Sequence, residues 1–254
     1  MKFMPRGRLI ILSGPSCVGK SPLAKALGQF FPDLHKKLQP LVLYNSRSPR
    51  PGEKNDEDYH FRRREEIEKF RDKDNYIVMD VRGDLQAFDI KELSEFLAKG
   101  DLFFEGNPFI GETLLSHPKL SKFKRLSMFV SPLSREELSL LKEQPQADLE
   151  SLVTDVMRRK LLRRTQRQKG VLSLKDLEEV ERRAKSAFRE LALAHKFDHV
   201  IANHDGEDSE NWSAFYYPLG DAGRTLRMFA QLLKRNKAEG TERWEKDFIV
   251  VKEN

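Results

Sequence analysis

Short apolar runs alternate along this chain with longer stretches in which apolar residues recur at helical spacing. The runs with the length of a buried strand are residues 9–12, 41–44, 76–81, 102–105, 126–130 and 198–202. The stretches that predict helices are residues 23–27, 62–73, 89–99, 149–169, 175–194 and 224–235, with a further helix opened by Ser134. Strands that alternate with helices predict the α/β class, in which helices cover both faces of a parallel sheet.

A loop that contains two glycines joins the first predicted strand to the first predicted helix. Its residues Gly14-Pro15-Ser16-Cys17-Val18-Gly19-Lys20-Ser21 fit the pattern G-x-x-x-x-G-K-[ST]. In such a loop, backbone N–H groups and the helix N-terminus surround an anion. Lys20 would reach the outer phosphates, and the Ser21 hydroxyl would ligate Mg²⁺. These eight residues predict a site for ATP or a similar triphosphate, and we give Cys17 no catalytic role.

A long polar loop, residues 45–61, follows the second predicted strand. Its prolines exclude a helix through Pro51, and long loops in compact domains are usually either functional or disordered. Arg47 and Arg50 form a natural fork for a monophosphate, and the Tyr59 hydroxyl adds a further donor. The alternative is a pair of solvated loop arginines.

Net charge, cysteine content and the length of the apolar runs indicate which ligands and which cellular compartment to expect. The formal net charge is +6, which suits either nucleic acid or a set of small polyanionic ligands. A single cysteine excludes an internal disulfide and fits a reducing compartment, so we expect the cytoplasm. No apolar run approaches the ~18 residues of a membrane span, so we expect no membrane partner.

Four stretches together resemble the guanylate kinases. The phosphate loop matches that family's loop, and residues 47–61 resemble its T-R-x-P-R-x-G-E…Y-x-F block, which holds the acceptor phosphate. Residues 182–190 are similar to the family's R-[IL]…A…E helix, and residues 197–205 to its Y-D-x-V-I-x-N-D-D strand. The resemblance implies a nucleoside monophosphate kinase that uses ATP and Mg²⁺ and binds a small-molecule nucleotide.

A basic run without an acid occupies residues 158–169. On a helix, Arg159 and Arg163 share one face, and Arg164 lies beside it. In nucleotide kinases a mobile lid brings arginines onto the transferring phosphate. We therefore expect Arg159 and Arg163 to be catalytic lid residues, with Arg164 as a further candidate and Arg183 behind them. A contact patch for nucleic acid and a solvated face are the alternatives.

The acid Glu105 ends an apolar strand, a position from which a carboxylate often holds Mg²⁺ through water. We expect Ser21 and Glu105 to form the metal site, with Glu105 also close to the substrate. An N-cap or a surface carboxylate is the alternative.

The chain departs from the family pattern where the acceptor base would bind. The family usually carries a glutamate in the strand that corresponds to residues 76–81, followed by a G-N-x-Y-G-[TS] turn. Here the predicted turn, residues 83–89, carries Gln86, Ala87 and Phe88 in place of the tyrosine, glycine and hydroxyl. Asp80, Asp84 and Gln86 could replace the lost contacts in a shifted geometry. Another purine or a non-nucleotide phosphate is therefore an alternative acceptor.

We predict a three-layer P-loop NTPase fold like that of the guanylate kinases, with a parallel sheet flanked by helices. Residues 1–208 would form the kinase domain, with an acceptor-binding insertion at 45–89 and a lid at 145–172. Residues 209–254 would form a C-terminal extension that covers the acceptor pocket, caps the sheet or makes a homodimer contact, and 248–251 predict an edge strand. The predicted reaction is phosphoryl transfer from ATP to GMP or dGMP. The alternatives are a kinase for another phosphorylated small molecule, and a non-catalytic module that binds a phosphoprotein or nucleic acid.

Overall fold

The computed structural model describes residues 7–49 and 52–251, so Arg50 lies outside the described residues. The strands in chain order are β1 (Arg8–Ser13), β2 (Leu38–Pro40), β3 (Leu43–Asn45), β4 (Tyr59–Phe61), β5 (Tyr76–Val81), β6 (Asp84–Asp89), β7 (Asp101–Gly106), β8 (Lys124–Ser131) and β9 (His199–Ala202). The α-helices are α1 (Lys20–Phe30), α2 (Pro32–His35), α3 (Arg64–Glu68), α4 (Ile90–Lys99), α5 (Pro108–Ser116), α6 (Arg135–Lys142), α7 (Leu149–Lys169), α8 (Leu174–Ala192) and α9 (Gly220–Arg235).

Parallel strands form the central sheet, in the order β2-β7-β1-β8-β9. Its middle strand β1 is fully buried from Leu9 to Leu12. A strand covered on both faces has a continuous apolar sequence, and this is why the pattern predicted it. Ser13 at the end of β1 pairs with Gly106 at the end of β7, so the loops that follow both strands begin at the same edge of the sheet.

The other four strands form a second sheet, in the order β4-β3-β6-β5. The single strand predicted over residues 41–44 is wrong, because the chain changes sheets there. β2 ends at Pro40 in the central sheet, the Leu41 N–H still bonds the Phe103 carbonyl at 2.7 Å, and β3 begins at Leu43 in the second sheet. One apolar run serves two sheets, and the hydrophobic pattern does not mark the break.

The turn predicted over residues 83–89 is also wrong, because β6 runs antiparallel to β5 along its whole length. The reversal is confined to Arg82 and Gly83, whose φ angles are 58° and 86°. Two central residues with positive φ form a tight hairpin turn that matches the twist of the strands. Leu85 and Ala87 pack with Ile67 in a small separate core, so β6 has the alternation of a half-buried strand.

Two further differences concern the helix after β7 and the chain end. Helix α5 was missed, although the Asn107 side chain caps it by accepting from the Phe109 N–H at 2.8 Å and Pro108 opens its first turn. The edge strand predicted over residues 248–251 is wrong. The edge strand β9 instead pairs at one point, through an isolated antiparallel bridge between Val200 and Glu242.

The long helices agree with their sequence patterns. The predicted helix over residues 149–169 is α7, which packs along α8. Helix α9 buries Phe229 and Leu232 completely in the main core. Across residues 7–49 and 52–251, none of the helices combines the length and apolar character needed to cross a membrane.

Candidate active site

One cleft collects side chains from the phosphate loop, the second sheet, β7 and helix α8. The predicted site residues that line it are Gly14, Ser16, Cys17, Lys20, Ser21, Arg47, Tyr59, Asp84, Gln86, Glu105 and Arg183. Pro15, Val18 and Gly19 belong to the same loop but are not among the lining residues. The phosphate loop and Glu105 lie at the carboxyl ends of parallel strands, where open α/β sheets place their ligands.

The phosphate loop is packed so tightly that two of its positions accept only glycine. Gly14 and Gly19 have φ angles of 151° and 96°, which L side chains rarely adopt. A Cβ on Gly14 would lie 2.3 Å from the Val130 carbonyl oxygen, and one on Gly19 would lie 2.7 Å from Asn203 Nδ2. A loop of bare backbone at these points fits the close approach of a polyphosphate.

Lys20 is a buried cation at the base of this loop, with a residual exposure of 7%. Its Nζ donates to the carbonyl oxygens of Gly14 and Pro15 at 2.8 and 2.7 Å. Burial lowers the pKa of the amine, although the nearby carboxylates of Glu207 and Glu105 act in the opposite direction. A phosphate anion would compensate this charge better than two carbonyl dipoles do.

Ser21 and Glu105 are in direct contact at the edge of the sheet. The Ser21 hydroxyl donates to Glu105 Oε1 at 2.7 Å. Burial raises the pKa of Glu105, while the Ser21 hydrogen bond and the Lys20 charge oppose the rise. A hydroxyl and a carboxylate are the hard oxygen ligands that Mg²⁺ uses beside substrate phosphates, so the pair fits this metal. Elsewhere in the described residues, no group of three His, Cys, Asp or Glu side chains could hold a metal.

Arg47 is held as a fixed cation where the chain leaves β3 of the second sheet and lines the cleft. Its Nη1 and Nη2 donate to the two carboxylate oxygens of Glu53, each at 2.6 Å. The guanidinium carbon lies 5.1 Å from the ring centroid of Tyr59 and 5.3 Å from that of Phe61. Burial acts to lower the pKa of Arg47, but the pairing with Glu53 raises it overall. The paired residue of the predicted fork, Arg50, lies outside the described residues.

Strand β6 presents Asp84 and Gln86 to the cleft, because they alternate with the buried Leu85. Gln86 is paired with Asn45 across the sheet. Its Oε1 is buried and, in the part of the chain that the structure describes, has no hydrogen-bond partner. An unpaired buried carbonyl costs free energy that a ligand donor would recover. Phe88 belongs to the core.

The arginines predicted to act on the transferring phosphate, those of the lid and Arg183 behind it, divide into two groups. Arg183 is nearly buried, donates from Nε to Glu179 Oε1 at 2.7 Å, and lines the cleft. Arg164 also lines it and donates to Glu207 Oε2 at 2.7 Å. Arg159 and Arg163 are exposed on α7 and are not among the residues that line the cleft.

The basic run on α7 is largely paired with the acidic loop after β9. Arg163 lies 3.3 Å from Asp208, and Arg167 lies 3.3 Å from Glu210. Lys160 donates to the carbonyl oxygen of His204 at 2.5 Å. Because these cations already have partners, less positive charge is available for a nucleic-acid backbone than the sequence suggested.

Comparisons with known proteins place this geometry in a family. Residues 6–95 match the family model described as guanylate kinase. A guanylate kinase from Synechococcus sp. (strain JA-3-3Ab) is 30% identical over 217 residues, which make up 84% of this chain and 83% of that protein. The chain belongs to the guanylate kinase family. A guanylate kinase from Corynebacterium jeikeium (strain K411) is likewise 30% identical over 206 residues, covering 78% of this chain and 89% of its own.

The fold of the guanylate kinase family is also found by structural comparison. The crystal structure of guanylate kinase from Anaplasma phagocytophilum matches with a TM-score of 0.51 at 18% identity, covering 92% of this chain and 88% of that one. The predicted P-loop fold and the predicted enzyme class, a guanylate kinase-like nucleoside monophosphate kinase, are confirmed.

Part of the cleft in this guanylate kinase-family chain carries no sequence motif that predicted it. The additional polar residues that line it are Arg82, Asn107, Glu179, Arg182 and Glu207. Glu179 lies one helical turn before Arg183, so i, i+4 spacing was an available signal. Arg82 gave no such signal, because the hairpin turn alone brings it to the cleft.

Cys17 lies in the phosphate loop and is fully buried. Burial raises the pKa of its thiol to about 12, with the Glu207 carboxylate adding to the rise. The thiol therefore stays protonated at neutral pH, and it packs without acting as a nucleophile.

Proposed function

We propose that this member of the guanylate kinase family transfers the γ-phosphoryl group of ATP to GMP or dGMP. One observation supports this most directly: Lys20 and Ser21 of the phosphate loop line the same cleft as Arg47 and Tyr59. Anions bound at these two places would meet in one partly enclosed space. In-line transfer requires this arrangement, because two polyanions must be held close while their repulsion is neutralised.

The donor side of the proposal uses the glycine loop. Lys20 would leave the Gly14 and Pro15 carbonyls and bind the outer phosphates of ATP, which satisfy a buried ammonium better. Ser21 and Glu105 would hold Mg²⁺, directly or through water, and the bound ion would supply positive charge that offsets the charge of the phosphates.

The acceptor side uses the second sheet. Arg47, oriented by Glu53 and by the Tyr59 ring, would bind the acceptor phosphate together with the Tyr59 hydroxyl. Gln86 Oε1 would accept from the acceptor base, since it is the unpaired polar atom on that wall of the cleft among the described residues. Arg183 and Arg164 would neutralise the group in flight, and Arg159 and Arg163 would require a lid movement to do so.

A coupled assay of ADP release over a panel of monophosphates tests the acceptor. We expect turnover with GMP and dGMP to exceed that with AMP, CMP, UMP and IMP by about 100-fold in kcat/KM, the discrimination of a site that hydrogen-bonds its base. No turnover with any guanine monophosphate would refute the proposal.

Replacement of Arg47 by lysine separates the acceptor site from the donor site. Lysine keeps the charge but loses the planar fork, so we expect the KM for GMP to rise about 10-fold or more. The KM for ATP should stay within about 3-fold, because the phosphate loop is untouched. An equal rise in both KM values would contradict the separate roles.

A kinase for a different phosphorylated acceptor is the second candidate. The observation that favours it is the wall formed by β6, where Gln86 and Asp84 face the cleft and Phe88 is buried in the core. The same panel decides between the two, since a preferred acceptor other than a guanine nucleotide would replace the first proposal.

A further inference from the structure

Arg82 lines the cleft, but it has no part in the binding of ATP or of the acceptor as proposed above. It lies in the turn between β5 and β6, with a φ angle of 58°. Its side chain is 15% exposed and lines the cleft together with Lys20 and Arg183. A cation carried by the acceptor sheet thus reaches the wall formed by the phosphate loop.

One edge of the Arg82 guanidinium is fixed by a buried carboxylate. Nε donates to Glu190 Oε1 at 2.8 Å, and Nη2 donates to the same oxygen. Glu190 has no exposed surface, and its Oε1 also accepts from Ser186 Oγ at 2.6 Å and from Asn107 Nδ2 at 3.0 Å. Charge-assisted hydrogen bonds of this kind fix the position and plane of a guanidinium.

The other edge of the guanidinium points to the phosphate loop. Nη1 donates to Ser16 Oγ at 3.1 Å, two residues after Gly14. A guanidinium carries five N–H groups, and the contacts within the described chain engage three of them. Two N–H groups, one on Nη1 and one on Nη2, therefore remain to bind an anion in the cleft.

We propose that Arg82 is a catalytic residue that binds the phosphoryl group during its transfer, and that Glu190 is its positioning residue. The proposal rests on the proposed function for the presence of two phosphates, but not for the identity of the acceptor base. An acceptor phosphate oxygen bonds to the γ-phosphorus, and the bond from that phosphorus to the β–γ bridging oxygen breaks. The bridging oxygen keeps the electron pair and leaves as part of ADP. Arg82 exchanges no proton, and its fixed charge stabilises the oxygens of the phosphoryl group in flight.

Replacement of Arg82 by glutamine tests the role. We expect kcat to fall about 100-fold or more, the typical loss for one preorganised donor at a charged transition state. The KM values for ATP and acceptor should stay within about 3-fold, because the ground-state contacts remain. Glu190→Gln should lower kcat less, by about 10-fold, since Arg82 stays but is held by a weaker acceptor.

Arg64→Gln is the matched control. Arg64 donates to the Gly83 carbonyl at 2.9 Å on the same hairpin and lies 3.4 Å from Asp80, but it is not among the residues that line the cleft. Its loss should leave kcat unchanged, which separates the cleft charge from a general effect on the hairpin.

A binding measurement provides a readout that needs no turnover. In Arg82→Gln, ADP alone should bind as in the unaltered protein, whereas ADP with aluminium fluoride, which stands in for the transferring group, should bind about 100-fold more weakly. If ADP with aluminium fluoride binds Arg82→Gln and the unaltered protein with equal affinity, the proposal is overturned. This measurement decides on Arg82 even if the guanine panel refutes the proposed acceptor.

If Arg82 only holds the β5–β6 hairpin against the phosphate loop, its replacement should give different results. In that case Arg82→Gln would raise both KM values at constant kcat or keep kcat within about 3-fold, and either outcome overturns the proposal. If Arg82→Gln fails to fold, Arg82→Lys decides, because one ammonium cannot serve both Glu190 and a phosphate. A loss of about 10-fold in its kcat at the unaltered melting temperature supports the catalytic role, and an unaltered kcat refutes it.

Discussion

Lys20 carries its charge in surroundings that disfavour it. The side chain is almost completely buried, and its two hydrogen-bond partners are neutral carbonyl groups. Burial accordingly lowers the pKa of the amine. A buried charge of this kind does not favour stability, and it is typical of a site that needs the charge when a ligand is bound.

Replacement of Lys20 by methionine should therefore separate activity from stability. Methionine keeps most of the volume and removes the charge, so we expect kcat to fall about 100-fold or more. The free energy of unfolding should stay the same or rise by about 1 kcal/mol, because a desolvated ammonium is removed. Coupled ADP release and urea unfolding measure the two quantities. A stability loss of several kcal/mol would mean that Lys20 mainly holds the loop together.

At the scale of elements, His204 joins the loop after β9 to two helices. Its Nδ1 contacts Asp221 in the first turn of α9, and its Nε2 lies 3.0 Å from Glu137 Oε2 in the first turn of α6. Burial acts to lower the pKa of His204, but the bonds to Asp221 and Glu137 raise it overall above 6.5. Burial acts to raise the pKa of both acids, but the bonds from His204, and for Glu137 also those from Ser134, lower it overall.

This contact should make stability depend on pH in one direction. A histidine whose pKa is higher in the folded state stabilises fully below its unfolded pKa, and the stabilisation is lost as the pH rises through the folded value. His204→Gln should lower Tm by about 1–2 °C near pH 6, a modest effect because the side chain is half exposed, and by less near pH 9. Calorimetry at both pH values, with the exposed His35→Gln as control, measures this. An equal loss at both would exclude the charged contact.

The elements also show which features of the chain a sequence can predict. The strand, loop and helix at residues 8–30 were predictable, because a buried parallel strand and a glycine motif leave direct marks in the sequence. The break at residues 41–42 was not, since the apolar run continues across two sheets. Comparison with the family pattern singled out Gln86 as a candidate for the acceptor site, but it gave no indication of Arg82. Its contact with Ser16 depends on how the β5–β6 hairpin packs against the phosphate loop, and no sequence motif marks a contact between such distant segments.

At the scale of the whole molecule, the residues beyond 208 share the main core. Phe229 and Leu232 of α9 are completely buried in the same apolar cluster as β1, and Trp244 is 3% exposed. The Trp212 indole donates to the Asp205 and Gly206 carbonyls, and a Cβ on Gly19 would lie 3.0 Å from its ring. The C-terminal segment thus packs behind the phosphate loop, and we propose that it unfolds together with the kinase domain.

Phe229→Ala and Phe215→Ala test whether the chain unfolds as one unit. Phe229 is fully buried, so its truncation should cost about 3–5 kcal/mol, whereas Phe215, 64% exposed, should cost less than about 0.5 kcal/mol. In urea, far-UV circular dichroism follows the whole chain, and fluorescence follows Trp212 and Trp244, which both lie beyond residue 208. If the segment shares the core, Phe229→Ala shifts both signals to the same lower midpoint, and phosphoryl transfer is lost along the same curve. If the segment were a separate lobe, fluorescence would change first, and the remaining domain would keep its activity at that urea concentration.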